Sequence, residues 1–122
     1  MHVLVTGHTG FKGAWLVLML AERGYTVSGL ALDPVPGALY ERAGLSEILA
    51  DDLRVDIRDA SSTSAAVVAV RPDVVIHLAA QPLVRESYRD PRGTYETNTM
   101  GTLSVLEAVA ASPGIQAQLI IT

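Results

Sequence analysis

Cysteine is absent from the 122 residues. That excludes a disulfide framework, a thiolate nucleophile and a cysteine-ligated metal, and it leaves the redox compartment open. Lysine is almost absent too, with Lys12 the only one. Lys and Arg together number 9 against 13 Asp and Glu, for a net charge of -4. There is no basic stripe and no run of like charges. Binding to a nucleic-acid backbone rests on neutralising phosphates, so no nucleic-acid partner is expected. No apolar run reaches the ~20 residues that a membrane helix needs, so no membrane partner is expected. The apolar start is strand-sized and has no basic region before it, so it does not read as a signal peptide; a soluble cytoplasmic protein is the expectation. Internal repeats, low-complexity stretches and linkers are missing as well. What is present is 49% hydrophobic, enough core for one domain or part of one.

The apolar residues fall in alternating β-like and helical segments. Residues 3–6 read as a buried strand and 12–23 as a helix, in which Trp15, Leu16, Leu18, Met19 and Leu20 give wide apolar coverage. Gly24 is suited to end that helix. Residues 26–32 form a second strand, and Asp33-Pro34-Val35-Pro36-Gly37 a loop. A short irregular helix is expected over 40–49, a weaker strand over 53–57, and a helix over 61–70 with a cap from Asp59. Residues 74–78 are the clearest buried strand. One long helix is expected over 91–111, with Pro91 in its first turn and Pro113-Gly114 stopping it. A last strand starts at Gln118 and runs to Thr122. Strands separated by helices imply right-handed βαβ units. The expected fold is therefore α/β, a doubly wound parallel sheet with strand order 3-2-1-4-5.

Between the first strand and first helix lies Gly7-His8-Thr9-Gly10-Phe11-Lys12-Gly13. Strand, glycine turn and helix together form a dinucleotide-binding context. Glycine permits positive φ, lets backbone approach a pyrophosphate, and lets helix lie close to strand. The helix N-terminus adds unpaired N–H groups and a positive dipole end. The spacing is G-x-x-G-x-x-G, one residue longer than the common fingerprint.

Asp33 lies 20 residues beyond Gly13, where an acid usually accepts the adenosine ribose hydroxyls and disfavours a 2′-phosphate. No arginine follows closely in sequence, Arg42 being the nearest beyond it. An aspartate before proline is equally at home in a plain turn, so both readings stand. Asp56, after the third strand, is placed either to accept from the adenine amine or to cap the next helix. His77, at the end of the fourth strand, reads as a packed and hydrogen-bonded residue rather than an acid or base. With three histidines in all and no carboxylate at ligand spacing beside His77, no metal site is expected.

These pieces stand in order with His77-Leu78-Ala79-Ala80-Gln81-Pro82-Leu83-Val84-Arg85, Ser87-Tyr88 and Thr94-Tyr95-Glu96-Thr97-Asn98-Thr99-Met100-Gly101-Thr102. Over essentially its whole length the chain resembles the N-terminal part of the CDP-glucose 4,6-dehydratases, extended short-chain dehydrogenase/reductases acting on sugar nucleotides. The pairing of His-Thr-Gly-Phe-Lys-Gly with Ala-Ala-Gln-Pro-Leu-Val-Arg is the specific part. The glycine turn and His-Leu-Ala-Ala mark only the wider NAD-dependent epimerase/dehydratase group.

The resemblance implies a Rossmann fold, an NAD cofactor and a nucleotide-sugar substrate. It implies internal hydride transfer from C4 of the hexose, loss of water across C5 and C6, and return of the hydride to C6, a net lyase reaction. It assigns Gly7, Thr9, Gly10, Phe11, Lys12 and Gly13 to the phosphate turn, and Asp56 and Ile57 to adenine. Leu78, Ala79, Ala80 and Gln81 line the middle of the cofactor, and Asn98 matches the family asparagine of the long helix, which supports the active-site water and backbone arrangement, unless it is a helix asparagine bonding solvent. Arg85, Ser87 and Tyr88 fall near the substrate mouth or in a solvated loop, and Lys12 either adds charge near the phosphates or stays a surface lysine. Asp33 is not a position at which the family demands an acid. The family's catalytic Ser/Thr follows the fifth strand, one position beyond Thr122, and no tyrosine here has lysine four residues on. No catalytic residue is therefore assigned within residues 1–122, and the fragment alone is expected to be inactive. The resemblance implies a homodimer in the full-length family, formed through the long helix and the helix carrying Tyr-x-x-x-Lys; only the first is present, so a native dimer is not expected of residues 1–122. An epimerase or NADP-dependent reductase of the same superfamily, and a non-catalytic dinucleotide-binding module, are the alternatives.

Overall fold

In the computed structural model, which describes residues 1–121, five parallel strands form one sheet in the order β3-β2-β1-β4-β5. The elements run β1 (His2–Thr6), α1 (Phe11–Glu22), β2 (Thr26–Ala31), α2 (Leu39–Arg42), α3 (Leu45–Ile48), β3 (Asp52–Arg54), α4 (Ala60–Val70), β4 (Val74–His77), α5 (Val84–Arg89), α6 (Pro91–Tyr95), α7 (Thr102–Ala110) and β5 (Ala117–Ile120). A π-helical stretch, Glu96–Gly101, joins α6 to α7. The strand order and parallel sense are those expected of a doubly wound fold. Thr122, the end of the expected last strand, lies outside the described residues.

Strand periodicity sends alternate side chains to opposite faces. Val3 and Val5 of β1 pack with Ala14 and Val17 of α1, Val27, Tyr40 and Leu45. Leu4 points the other way and packs with Leu30, Val75, and Ala66, Val67 and Val70 of α4 and Val105 and Ala108 of α7. The sheet is covered on both faces, which is why β1 and β4 read as continuous apolar runs. Register pairs Thr6 with both Leu30 and His77, placing the C-terminal ends of the three central strands together beside the glycine turn.

Several boundaries differ from the sequence expectation. The wide apolar coverage of α1 exceeds its buried face, which comprises Gly13, Ala14 and Val17, while Trp15 and Met19 stay exposed. The irregular helix at 40–49 is two single turns parted by Gly44 at φ +63°. β3 stops at Arg54 rather than at residue 57, because the chain turns at once: Asp59 N–H donates to Asp56 O at 3.0 Å. Residues 84–89, which carried no helix expectation, form α5. The single helix over 91–111 is present as a continuous helical run to Ala110, made of α6, the π stretch and α7. There Gly101 is pressed on Ile57, where a Cβ would lie 2.6 Å from its side chain, and Asn98 is held to Gln81, so the ladder takes one extra residue. Asp59 caps α4, accepting from Ser62 N–H at 3.0 Å, and Gly24 ends α1 at φ +80°.

Candidate functional site

The glycine turn lies at the C-terminal edge of β1, between β2 and β4, the switch point of the strand order. Two of its three glycines are sterically required, and the third is tightly placed. Gly7 is left-handed at φ +73°, and a Cβ there would lie 2.8 Å from Ala79 N. Gly13 is on the first turn of α1, where a Cβ would sit 2.2 Å from Gly7 O. Gly10 caps α1 with extended backbone, and a Cβ there would meet Gly7 O at 3.3 Å. No side chain caps α1 and no acid stands in its first turn. Its N–H groups and positive dipole end are thus left for an anion. Phe11, 73% exposed, and the exposed Lys12 flank that end, and Thr9 Oγ1 donates to Leu32 O at 3.1 Å.

On the β4 side, Thr6 organises the backbone. Its buried Oγ1 accepts from Leu78 N and Ala79 N, each at 3.1 Å, and lies 2.6 Å from His77 Nδ1. His77 Nε2 meets Thr102 Oγ1 at 3.0 Å. The imidazole is packed and bonded at both nitrogens, as expected, and burial lowers its pKa. Asn98 clamps the next peptide: Oδ1 accepts from Gln81 N at 2.7 Å and Nδ2 donates to Gln81 O at 3.1 Å. The Gln81 side chain donates to Thr94 Oγ1 at 3.0 Å and accepts from Leu83 N at 2.6 Å. Residues 78–81 are thereby fixed against both β1 and the π stretch.

On the β2–β3 side, Asp56 accepts from Arg58 Nε, Nη2 and backbone N–H. Those hydrogen bonds hold the carboxyl below the usual aspartate range. The capping role weighed for Asp56 belongs to Asp59. Ile57 is buried in the core beneath Gly101, so only its backbone faces outward chemistry. Asp33, 91% exposed, follows β2. No arginine follows Asp33 closely in sequence, but Arg54 Nε approaches Asp33 Oδ1 at 3.3 Å in space. Arg54 is distant in sequence but arrives on the adjacent strand. Arg85, Ser87 and Tyr88 lie on α5, not in a loop; Ser87 Oγ donates to Val84 O at 2.6 Å, and Tyr88 is 84% exposed.

One group escaped the sequence reading. His8 is fully buried, its ring lying over Gly29 of β2. Its Nε2 is 2.7 Å from Asp52 Oδ1 and 3.1 Å from Arg54 Nη1, so it donates to the acid or accepts from the guanidinium according to its tautomer. Tyr40 Oη also donates to Asp52, and Arg54 is bidentate on it at 2.6 and 3.0 Å. Burial pushes the Asp52 carboxyl up, but Tyr40, His8 and Arg54 together hold it below its ordinary value. Burial lowers the His8 pKa against the pull of Asp52. The available signal was Gly29: a glycine inside a strand marks the close approach of another group.

Comparison with known proteins agrees with this geometry. The chain is 46% identical to CDP-glucose 4,6-dehydratase of Salmonella typhimurium, over 98% of this chain and 33% of that one. It is 32% identical to GDP-mannose 4,6-dehydratase of Yersinia enterocolitica, over 87% of this chain and 30% of that one. Among solved structures, UDP-glucose 4-epimerase of Thermus thermophilus in complex with NAD superposes with a TM-score of 0.83 at 35% identity, over 97% of this chain and 36% of that one. The chain spans about a third of the length of the curated relatives it matches. The family model described as GDP-mannose 4,6 dehydratase matches residues 4–120, and the chain belongs to that family.

Proposed function

We propose that residues 1–122 are the NAD-binding part of a sugar-nucleotide 4,6-dehydratase that converts CDP-glucose to CDP-4-keto-6-deoxyglucose. The observation that carries this reading is the uncapped N-terminus of α1 behind three glycines whose hydrogens face backbone. Any side chain there would fill the cradle that a pyrophosphate needs. The residues therefore fit the group. Gly7, Thr9, Gly10, Phe11, Lys12 and Gly13 form the phosphate turn, Asp33 the ribose acceptor, and Asp56 and the Ile57 backbone the adenine contact. Leu78, Ala79, Ala80, Gln81 and Asn98 form the wall beside the central part of the cofactor.

NAD, when bound, supplies reversible acceptance of hydride. The chain's own contribution is to orient and to desolvate. Thr6 fixes the Leu78 and Ala79 amides, and Asn98 fixes the Gln81 peptide, so the wall is rigid before the cofactor arrives. Preorganised walls cost no reordering on binding. Arg85, Ser87 and Tyr88 on α5 are the proposed substrate-side residues. The CDP-glucose assignment is supported by the 46% relative and by the Ala-Ala-Gln-Pro-Leu-Val-Arg run. A cytoplasmic setting suits that substrate class. The exposed Tyr95, Met100, Leu103 and Leu106 of the long helix supply one half of a proposed homodimer interface.

No tyrosine in the chain has lysine four positions on, so residues 1–122 bind NAD without turning over CDP-glucose. Isothermal titration with NAD and incubation with CDP-glucose test both parts. Absence of NAD binding by the folded protein sinks the cofactor assignment, and a 4-keto product sinks the inactivity. A UDP-sugar epimerase is the second reading, favoured by the superposition with the Thermus thermophilus epimerase. Product analysis with the protein's full coding sequence separates the two.

A further inference from the structure

We propose that Thr94 is a positioning residue for the substrate-side helix α5, acting through the side chain of Gln81. The inference rests on the reading above and deepens it, since that reading sets Arg85, Ser87 and Tyr88 of α5 beside the nucleotide sugar. Packing does not place α5, for none of its residues is buried. Among the described residues its side-chain bonds stay inside it. Ser87 Oγ donates to Val84 O at 2.6 Å, and Arg89 Nη1 lies 3.9 Å from Glu86 Oε2. A helix this short does not hold its shape or place without external support.

Both of its ends are held, and both lead to the Thr94 hydroxyl. Leu83 is the N-cap of α5. Its N–H donates to Gln81 Oε1 at 2.6 Å, and its carbonyl accepts from Gln81 Nε2 at 3.2 Å. The second N–H of the same Nε2 donates to Thr94 Oγ1 at 3.0 Å. Asp90 is at once the C-cap of α5 and the N-cap of α6. Its carbonyl accepts from Thr94 Oγ1 at 2.9 Å. Thr94 thus gives its one hydroxyl proton to the far end of α5 and accepts from the residue that grips the near end. Residues 83–90 form a strap closed at its base by Thr94 and Gln81.

The network admits one orientation of the Gln81 amide. Leu83 N is a donor and requires Oε1, while Leu83 O is an acceptor and requires Nε2. Thr94 Oγ1, with its proton directed at Asp90 O, is left to accept. Reversing the amide would set donor against donor and acceptor against acceptor. The Gln81 backbone is held as well, with N and O bonded to Asn98 at 2.7 and 3.1 Å. Thr94 and Asn98 belong to one continuous helical run. That run grips Gln81 twice, by its peptide from Asn98 and by its side chain from Thr94. The cofactor wall and the substrate-side helix are therefore one mechanical unit, with Thr94 setting where α5 stands on it.

Amide hydrogen exchange of the purified protein, with NAD titrated in parallel, tests this. Thr94→Val keeps the shape and helix propensity of threonine and removes the hydroxyl. The Ser87 and Asp90 amides close α5 on Leu83 O and Glu86 O. In Thr94→Val they exchange about tenfold faster, the size of the one or two net hydrogen bonds lost, while β1 amides keep their rates. Thr94→Ser restores the hydroxyl and both rates. Gln81→Met removes the other half of the clasp and accelerates the same two amides, so it decides if Thr94→Val does not fold. Wild type that binds NAD, with α5 exchange unchanged in a folded clasp variant, overturns the inference alone. So does acceleration spread equally to β1, or Thr94→Ser behaving as Thr94→Val. Failure of folded wild type to bind NAD overturns the dinucleotide reading, and the role of α5 with it.

Discussion

Gly13→Ala is the sharpest perturbation of the phosphate turn. A Cβ built there lies 2.2 Å from Gly7 O, 2.7 Å from His8 Cα and 2.8 Å from Gly7 C. Ordinary contact begins near 3.4 Å, so α1 and the turn must separate by about 1 Å. All three obstacles are backbone and no rotamer change relieves them. The Gly7 peptide is also pinned from both sides, its N–H donating to Leu30 O at 2.8 Å and its carbonyl accepting from Gly10 N at 3.0 Å. Overpacking of this kind costs about 1–3 kcal/mol, and rigid obstacles favour the upper end. For a chain of this length that is a fall in Tm of roughly 5–15 °C. The same 1 Å shift displaces the α1 N–H groups from the anion position, so NAD affinity falls at least about tenfold.

Two controls calibrate it. Gly10→Ala meets a single atom at 3.3 Å and costs a fraction of that amount. Gly24→Ala meets nothing within 4 Å, but at φ +80° it pays about 1 kcal/mol of left-handed strain and leaves NAD binding intact. Circular dichroism melts and calorimetric titration of the three variants form the assay. If Gly13→Ala melts within about a degree of wild type and binds NAD equally well, the steric argument is wrong.

Acid should destabilise the fold in two steps. His8 and His77 both have folded pKa values below their ordinary 6.5, burial being the main cause. Below pH 6.5 the unfolded chain takes up protons that the folded chain refuses, so stability falls from there down to the folded values. The slope is at most about 1.4 kcal/mol for each histidine over each pH unit of that window. Asp52, depressed below 3.8, keeps its full contribution above that pH and loses it as pH falls through its folded value. Urea titrations across pH 3–7 measure both steps, and a flat profile between pH 5 and 7 would contradict the buried imidazoles. Asn98→Ala removes both bonds to the Gln81 peptide and lowers stability by about 1–2 kcal/mol. Hydrogen exchange should then show faster loss of the Gln81 amide while β1 amides in the core keep their protection; equal acceleration throughout would mean that Asn98 acts on global stability alone.

Local signals in the chain were strong where one element carries its own cause. The βα turn needs glycine at Gly7 and Gly13 because of contacts within a few residues, and the spacing announces it. Asp59 caps the helix that starts at the next residue by accepting from an amide three positions on, and Gly24 ends one. The parallel doubly wound sheet followed from the alternation of strands and helices, because right-handed βαβ crossovers leave few topologies, and its order is that of a mononucleotide-binding half. The π stretch was not legible: Pro91 to Ala111 has an unbroken helical pattern, and what interrupts it is Gln81 bound to Asn98 and Ile57 lodged against Gly101. Likewise α5 carries few apolar anchors and buries none of its residues, so its periodicity was silent.

By itself, then, the sequence determined the class of the fold, the place of the glycine turn and the family it resembles, since each depends on spacing along the chain. Tertiary structure decided what surrounds Asp33 at the end of β2. His8, Tyr40, Asp52 and Arg54 are spread over 46 positions, yet parallel strands bring them to one cluster beside Asp33. Adjacent strands lie about 5 Å apart whatever the length of chain between them. Charge partners across a sheet are therefore invisible until the strands are paired.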